Sequence, residues 1–243
     1  MATLGPTNRT AGPARQHQLP LEIHLRDDAT MDNFLTVSRS QPLVSALQHQ
    51  MDADGEAIIY VYGPPGAGKS HLLQASCHAG RAETLYLPLA ELRQFPGQEV
   101  MQGVERLDRV CIDDVQAVLG DADWELALFN FCNGARQRGC RMVVAGDAAP
   151  RALAVNLADL RSRLSWGIVY QLAEGSDEEK VDILRFRATR RGLSLSKSVA
   201  TFIVSRAPRA TEQLLMVLDQ LDKHSLARQR ALSIPFVKEV MGW

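Results

Sequence analysis

Residues 63–70 read GPPGAGKS, placed straight after the apolar run AIIYVY (57–62) and straight before KSHLLQASCHAG (69–80). The octapeptide satisfies the spacing G-x-x-x-x-G-K-[ST] in full, between a strand-like and a helix-like segment. The chemistry explains the residue types. Glycines let successive backbone N–H groups converge on phosphate oxygens at a helix N-terminus, where the partial charge of the helix favours an anion. The candidate cradle is Gly63, Pro64, Pro65, Gly66, Ala67, Gly68, Lys69 and Ser70, with His71 beside it. Lys69 is expected to reach the β- and γ-phosphates, and the Ser70 hydroxyl to ligate Mg²⁺.

Downstream, RVCIDDV (109–115) ends an apolar strand in two carboxylates. Next to a phosphate loop, Asp113 is expected to hold Mg²⁺ directly or through water, and Asp114 to polarise an attacking water. VVAGDAAP (143–150) is a further strand with a polar residue, Asp147, at its carboxyl end. That edge of a parallel sheet is where ligands bind. By itself, Asp147 reads better as a turn residue before Pro150.

Five strands are predicted: AIIYVY, TLYLPL, RVCIDDV, CRMVVAGD and IVYQL, alternating with helical segments. Continuous apolar strands of this kind imply an α/β fold with a parallel sheet covered on both faces. PLVSALQHQM (42–51) predicts a short helix with Leu43, Leu47 and Met51 on one face. Gly80 is expected to close the helix after the phosphate loop. After residue 174 strands cease. SDEEKVDILRFRATRRG begins with Ser176 and acidic residues and ends in basic residues and glycine, a well-signalled helix. Two more helices and a short last one follow, IPFVKEVMGW starting the latter. The division is a flexible arm over 1–25, an α/β nucleotide-binding domain over 26–174, and a small all-helical lid over 175–243.

In LADLRSRLSWG (157–167) two arginines sit at a predicted helix end. Arg161 reads as a surface cation favoured by the helix dipole. Arg163 would complete its own site or reach a neighbour's γ-phosphate. The phosphate loop is expected near the other side of the sheet order, which leaves Arg163 free of its own nucleotide.

With 243 residues, 46% hydrophobic and 23% charged, the chain has an ordinary globular composition. A net charge of −1 argues against a surface devoted to nucleic-acid backbone. The four cysteines make no CxxC or Cys/His metal pattern, and are expected to be reduced thiols of a cytoplasmic protein. No run approaches 18 apolar residues and no secretory signal is read, so no membrane association is expected.

In their order and spacing, these pieces resemble the AAA+ fold, and within it the family of the bacterial replication initiator DnaA. CIDDVQAVLG resembles that family's Walker B segment, GDAAP its sensor I segment with Asp147, and SRLSWG its arginine-finger segment with Arg163. DDATMDNFL (27–35) resembles the stretch that packs on the adenine, which implies Phe34 as a base contact. The resemblance runs from Gln18 to Trp243. It departs from the family in two places. No C-terminal helix-turn-helix domain follows IPFVKEVMGW, so sequence-specific DNA binding is not expected. The lid position that usually holds a sensor II arginine carries Glu212, with Arg209 one turn earlier as a substitute. QLPLEI (18–23) resembles a peptide that binds the replicative sliding clamp, with Gln18 at the pocket edge and Leu19, Leu21 and Ile23 in the groove.

The resemblance implies a shortened family member that binds ADP or ATP with Mg²⁺. It would attach to the DNA-loaded sliding clamp and to the initiator DnaA, and stimulate hydrolysis of initiator-bound ATP through Arg163. That is negative regulation of initiation, with weak or no ATPase of its own. The competing reading is a self-contained AAA+ ATPase that forms a homodimer or larger homo-oligomer. A nucleoside kinase shares the phosphate loop, but the sequence offers no arginine-rich lid for an acceptor.

Overall fold

The computed structural model describes residues 25–78, 82–208 and 210–243. Helix α1 (Gln41–Gln48) precedes strand β1 (Ile58–Tyr62), and α2 (Lys69–His78) follows it through the phosphate loop. Strand β2 (Thr84–Pro88) leads through two single-turn helices, α3 (Leu89–Leu92) and α4 (Gly97–Val100), to β3 (Arg109–Asp113). The long helix α5 (Ala122–Arg138) comes next, then β4 (Arg141–Gly146), α6 (Ala158–Leu164) and β5 (Ile168–Gln171). Four helices complete the chain: α7 (Asp177–Arg190), α8 (Lys197–Arg206), α9 (Thr211–Arg228) and α10 (Ile234–Met241). Among the described residues no helix is long and apolar enough to cross a membrane.

The strands form one parallel sheet in the order β2-β3-β4-β1-β5. Period-2 alternation sends neighbours to opposite faces. Tyr60, Val110, Ile112 and Val144 join the core under α5 and α6. Ile59, Val61, Cys111, Val143 and Ala145 join the core under α1 and α2. Both faces are therefore apolar, which is why these strands read as continuous hydrophobic runs. The edge strand β5 departs from the expected double cover, since Ile168 and Val169 are 40% and 41% exposed. Helix α1 buries Leu43, Val44 and Leu47, while Met51 lies beyond the helix and is exposed, contrary to its predicted place on that face. All four cysteines are free.

Helix α5 starts on Asp121, whose side chain accepts from the backbone N–H groups of Asp123 and Trp124, and stops at Gly139 in the left-handed region. Helix α7 starts on a full capping box between Ser176 and Glu179. The lid has its own core, built around Leu184, Ile203, Leu218, Leu221 and Phe236. Three ion pairs tie it to the segment before α1, one of them a long contact of 4.0 Å between Arg190 and Asp32. Arg39 Nη1 meets Glu179 Oε2 at 2.5 Å, and the buried Arg187 pairs with Asp28. Arg187 Nη1 also donates to the Asn33 carbonyl at 3.0 Å. The lid is thereby held over the carboxyl edge of the sheet, where the phosphate loop lies.

Candidate nucleotide site and the Arg163 cluster

The phosphate loop joins β1 to α2 and is crowded. Gly66 and Gly68 have φ of +77° and +101°, the left-handed region that side chains other than glycine avoid. A Cβ at Gly63 would lie 2.0 Å from the Leu172 carbonyl oxygen, and one at Gly68 would lie 3.0 Å from the Phe34 ring. Glycine is thus demanded by both backbone and space, as a cradle for phosphate oxygens requires. Lys69 is buried at the start of α2, and its ammonium donates to the carbonyls of Gly63 at 2.7 Å and Pro64 at 3.1 Å. Burial pulls its pKa below the ordinary value, against the opposing charges of Asp113, Asp114 and Asp147.

Asp113 is buried at the end of β3. Tyr86 Oη donates to its Oδ2 at 2.8 Å, and the Asp114 N–H donates to its Oδ1 at 3.0 Å. Ser70 also hydrogen-bonds to it. Burial raises the Asp113 pKa, while the bonds from Ser70 and Tyr86 resist the rise. A hydroxyl and a carboxylate side by side are hard oxygen donors of the kind Mg²⁺ takes. The residues present therefore fit a Mg–nucleotide pair. Asp114 has φ +52°, a costly conformation for a non-glycine residue and one met at functional sites. Gln116 Nε2 donates to its Oδ1 at 3.0 Å.

Two adjoining cavities flank the loop. One, of about 330 Å³, is lined by Pro65, Gly66, Lys69, Ser70, Asp114 and Asp147, with Arg26 and Glu212 on its outer wall. The other, about 100 Å³, lies between Phe34, Val37, Ala67, His71, Leu172 and Ile183. The first has the charge and oxygen chemistry of a phosphate and metal site, the second the apolar walls of a base site. The Phe34 and His71 rings stand 5.7 Å apart, centroid to centroid. His71 Nε2 lies 2.9 Å from the Thr30 carbonyl, to which it donates, and burial lowers its pKa. The structure thus brings together every predicted residue of the loop with Phe34, His71, Asp113, Asp114 and Asp147. Arg209, the clamp-peptide residues Gln18, Leu19, Leu21 and Ile23, and Gly80 lie outside the described residues.

Arg163 sits elsewhere. Strand β5 is beside β1, paired Ile59 with Ile168 through Tyr62 with Gln171, and not across the sheet from it. The strands run parallel, so the phosphate loop leaves the carboxyl end of β1 while Arg163 precedes the amino end of β5. The three steps between the first and last of these pairs put the two ends about 10 Å apart along the strands. Arg163 is set in a cluster on the last turn of α6. Its Nε donates to Asn133 Oδ1 at 2.9 Å, and its guanidinium lies 4.2 Å from the Trp166 ring centroid and 5.4 Å from that of Phe129. Arg136 lies 4.4 Å from the same Trp166 centroid. Among the described residues Arg163 has no carboxylate partner in an ion pair. Arg161 is not the surface residue expected. It is half-buried, its Nη2 donates to the Val155 carbonyl at 2.7 Å, and its charge acts on Glu125.

Glu125 sets the entry of α6. Its carboxylate accepts from the backbone N–H groups of Gly120 (2.8 Å), Asn156 (3.0 Å) and Leu157 (2.6 Å). Burial would raise its pKa, but those three bonds, with Arg161, outweigh it and hold the carboxyl below its ordinary value. Sequence reading missed Glu125, Asn133, Trp166, Tyr86 and Arg26. Each sits in a helix, strand or loop pattern that reads as core or surface, and only tertiary contact gives it a role.

Known proteins share the lid family and the fold. Residues 177–241 match the family model described as Hda, lid domain. A Haemophilus influenzae protein described as uncharacterized is 39% identical over 229 residues, spanning 93% of this chain and 98% of its own length. Domain III of the Thermotoga maritima replication initiation protein DnaA superposes with a TM-score of 0.76 at 21% identity, covering 90% of this chain and 98% of that one. AMPPCP-bound DnaA from Aquifex aeolicus gives 0.70 at 20% identity, over 82% of this chain and 66% of that one. The Thermotoga maritima RuvB Holliday junction branch migration motor gives 0.65 at 16%, over 88% and 71%.

Proposed function

The chain belongs to the Hda-like, DnaA-homologous AAA+ proteins, and on that premise we propose that it is a nucleotide-binding regulator that completes the ATPase site of the replication initiator. One observation carries the proposal. Arg163 is a cation oriented by Asn133 and Trp166, without a carboxylate partner among the described residues, at the end of the sheet opposite its own phosphate loop. A cation placed in this way serves a neighbour's phosphate. Docked on ATP-bound DnaA, Arg163 stabilises the charge that gathers on the equatorial oxygens of the transferring phosphoryl group. Such a finger is worth about 10³ to 10⁵ in rate in GTPase systems.

An adenine nucleotide with Mg²⁺, when bound, supplies the negative charge that Lys69, Ser70 and the loop N–H groups are arranged to meet. The residues of this chain do the rest. Phe34 and His71 present apolar surface for the base, Asp113 and Ser70 offer oxygens to the ion, and the Arg187–Asp28 pair holds the lid over the cavity. QLPLEI (18–23) tethers the chain to the sliding clamp on DNA, so that inactivation follows clamp loading. The cytoplasm is the compartment where these partners occur.

The test is turnover of initiator-bound ATP with this chain added, with and without clamp-loaded DNA. Faster turnover that needs the loaded clamp, and weakens in a Gln18→Ala, Leu19→Ala variant, agrees with the proposal. A second reading, a self-contained homo-oligomeric ATPase, is favoured by Asp114 and Asp147 sharing a cavity with Lys69 and Ser70. Robust hydrolysis by the chain alone, lost in Asp114→Asn, would select it.

A further inference from the structure

We propose that Arg26 is a phosphate-binding arginine, contributed to the nucleotide cavity by the segment that leads out of the arm. The inference rests on the reading of 63–70 as a nucleotide site. Arg26 lines the same cavity as Lys69, Ser70, Asp114, Asp147 and Glu212. Among the described residues on that wall, Lys69 and Arg26 are the cations, while Asp114, Asp147 and Glu212 are acidic. Asp113 adds a further carboxylate at the end of β3. The cavity is thus net acidic, and a polyphosphate entering it needs more than Lys69. Among the described residues the lid adds no cation to this wall, and the first turn of α9 presents Glu212, an anion, there.

The attachment of Arg26 suits the task. Its backbone is fixed to α2: its N–H donates to Gln74 Oε1 at 2.9 Å, and His78 Nε2 lies 3.3 Å from its carbonyl oxygen. Its side chain is not fixed. Nε and Nη2 each reach an oxygen of Asp28 at 3.2 Å, in a pair whose side chains are 54% and 38% exposed. Ion pairs of that exposure are weak. Asp28 also has the buried Arg187 as a partner, so Arg26 can turn to a phosphate without leaving Asp28 unpaired. The guanidinium fork matches phosphate oxygens as it matches the Asp28 carboxylate, and a polyphosphate carries more negative charge than that carboxylate does.

The experiment is calorimetric titration of ADP with Mg²⁺ into wild type, Arg26→Ala, Arg26→Lys and Lys69→Ala, with the unfolding midpoint of each nucleotide-free protein. Arg26→Ala should weaken ADP about tenfold. Arg26→Lys, which keeps the charge and loses the fork, should recover part of that loss, and the unliganded midpoints of both should fall by no more than about 2 °C, the share of one exposed ion pair. If Arg26→Ala binds ADP within twofold of wild type while Lys69→Ala does not bind it, the role of Arg26 is wrong and the nucleotide site stands. If Lys69→Ala also binds normally, the nucleotide site itself is misplaced. A larger fall of the unliganded midpoint in Arg26→Ala, with no recovery of ADP binding in Arg26→Lys, makes Arg26 structural and overturns the proposal.

Discussion

Arg163 Nε donates to Asn133 Oδ1 at 2.9 Å, bridging the last turn of α6 to the face of α5. The bond occupies the inner edge of the guanidinium, and Trp166 backs its plane at 4.2 Å. An arginine so placed loses little side-chain entropy when it meets a partner's phosphate. Removing the orienting carbonyl should cost rate without touching this chain's own nucleotide. Asn133→Ala is expected to stimulate initiator-bound ATP turnover about tenfold less than wild type, from the loss of one hydrogen bond to a charged group. ADP affinity should be unchanged, as measured by titration.

The Asp28–Arg187 pair predicts how stability responds to acid. Burial would raise the Asp28 carboxyl, but the bonds and charges of Arg26 and Arg187 together hold it below its ordinary 3.8. A carboxyl lowered by folding contributes stability above its unfolded value and loses it as pH falls through the folded one. Asp28→Asn leaves the buried Arg187 with a carbonyl alone and should cost about 2 kcal/mol at neutral pH. Denaturant curves of the two proteins should separate above the ordinary carboxyl value of 3.8 and converge as pH falls below it.

Asp113 predicts the opposite sign. Burial raises its folded pKa, so between its ordinary value and the raised one the folded chain holds a proton that the unfolded chain releases. Stability falls as pH rises through that window, and above it the ionised carboxylate is a cost. Asp113→Asn removes the cost and should stabilise the nucleotide-free protein by about 1 kcal/mol, or roughly 2–4 °C in midpoint. The same change should abolish any tightening of ADP by Mg²⁺. Thermal unfolding and titration in Mg²⁺ and in EDTA check both halves.

Glu125 accepts three backbone N–H groups ahead of α6, and a neutral amide cannot accept as many. Glu125→Gln should destabilise the protein by about 2 kcal/mol. Because α6 carries Arg163, stimulation of the initiator should fall further than ADP affinity does.

The parts legible in the sequence are those whose signal is local. Gly63 through Ser70 carry their own geometry, the apolar strands carry their two-sided burial, and the cap at Ser176 carries the start of α7. The strand order was not legible, because nothing in IVYQL says that β5 pairs with β1. The two short helices, α3 and α4, lack the length for a periodic signal. Tyr86 reads as one more apolar strand residue until Asp113 is found 2.8 Å from its hydroxyl. Arg161 reads as surface until the Val155 carbonyl and Glu125 are found around it. Arg26 reads as the first residue of the α/β domain, and its place on the cavity wall comes from a fold that ties its backbone to α2. These are contacts between residues far apart in the chain, which spacing alone does not encode.

The central claim is that Arg163 acts on another protein's nucleotide. The direct measurement is single-turnover hydrolysis of DnaA-bound ATP on clamp-loaded DNA, comparing wild type with Arg163→Ala, each first shown to bind ADP equally. The account predicts that Arg163→Ala binds ADP as wild type does and stimulates at least about a hundredfold less, within the range an arginine finger supplies. Stimulation by Arg163→Ala equal to that of wild type would contradict it.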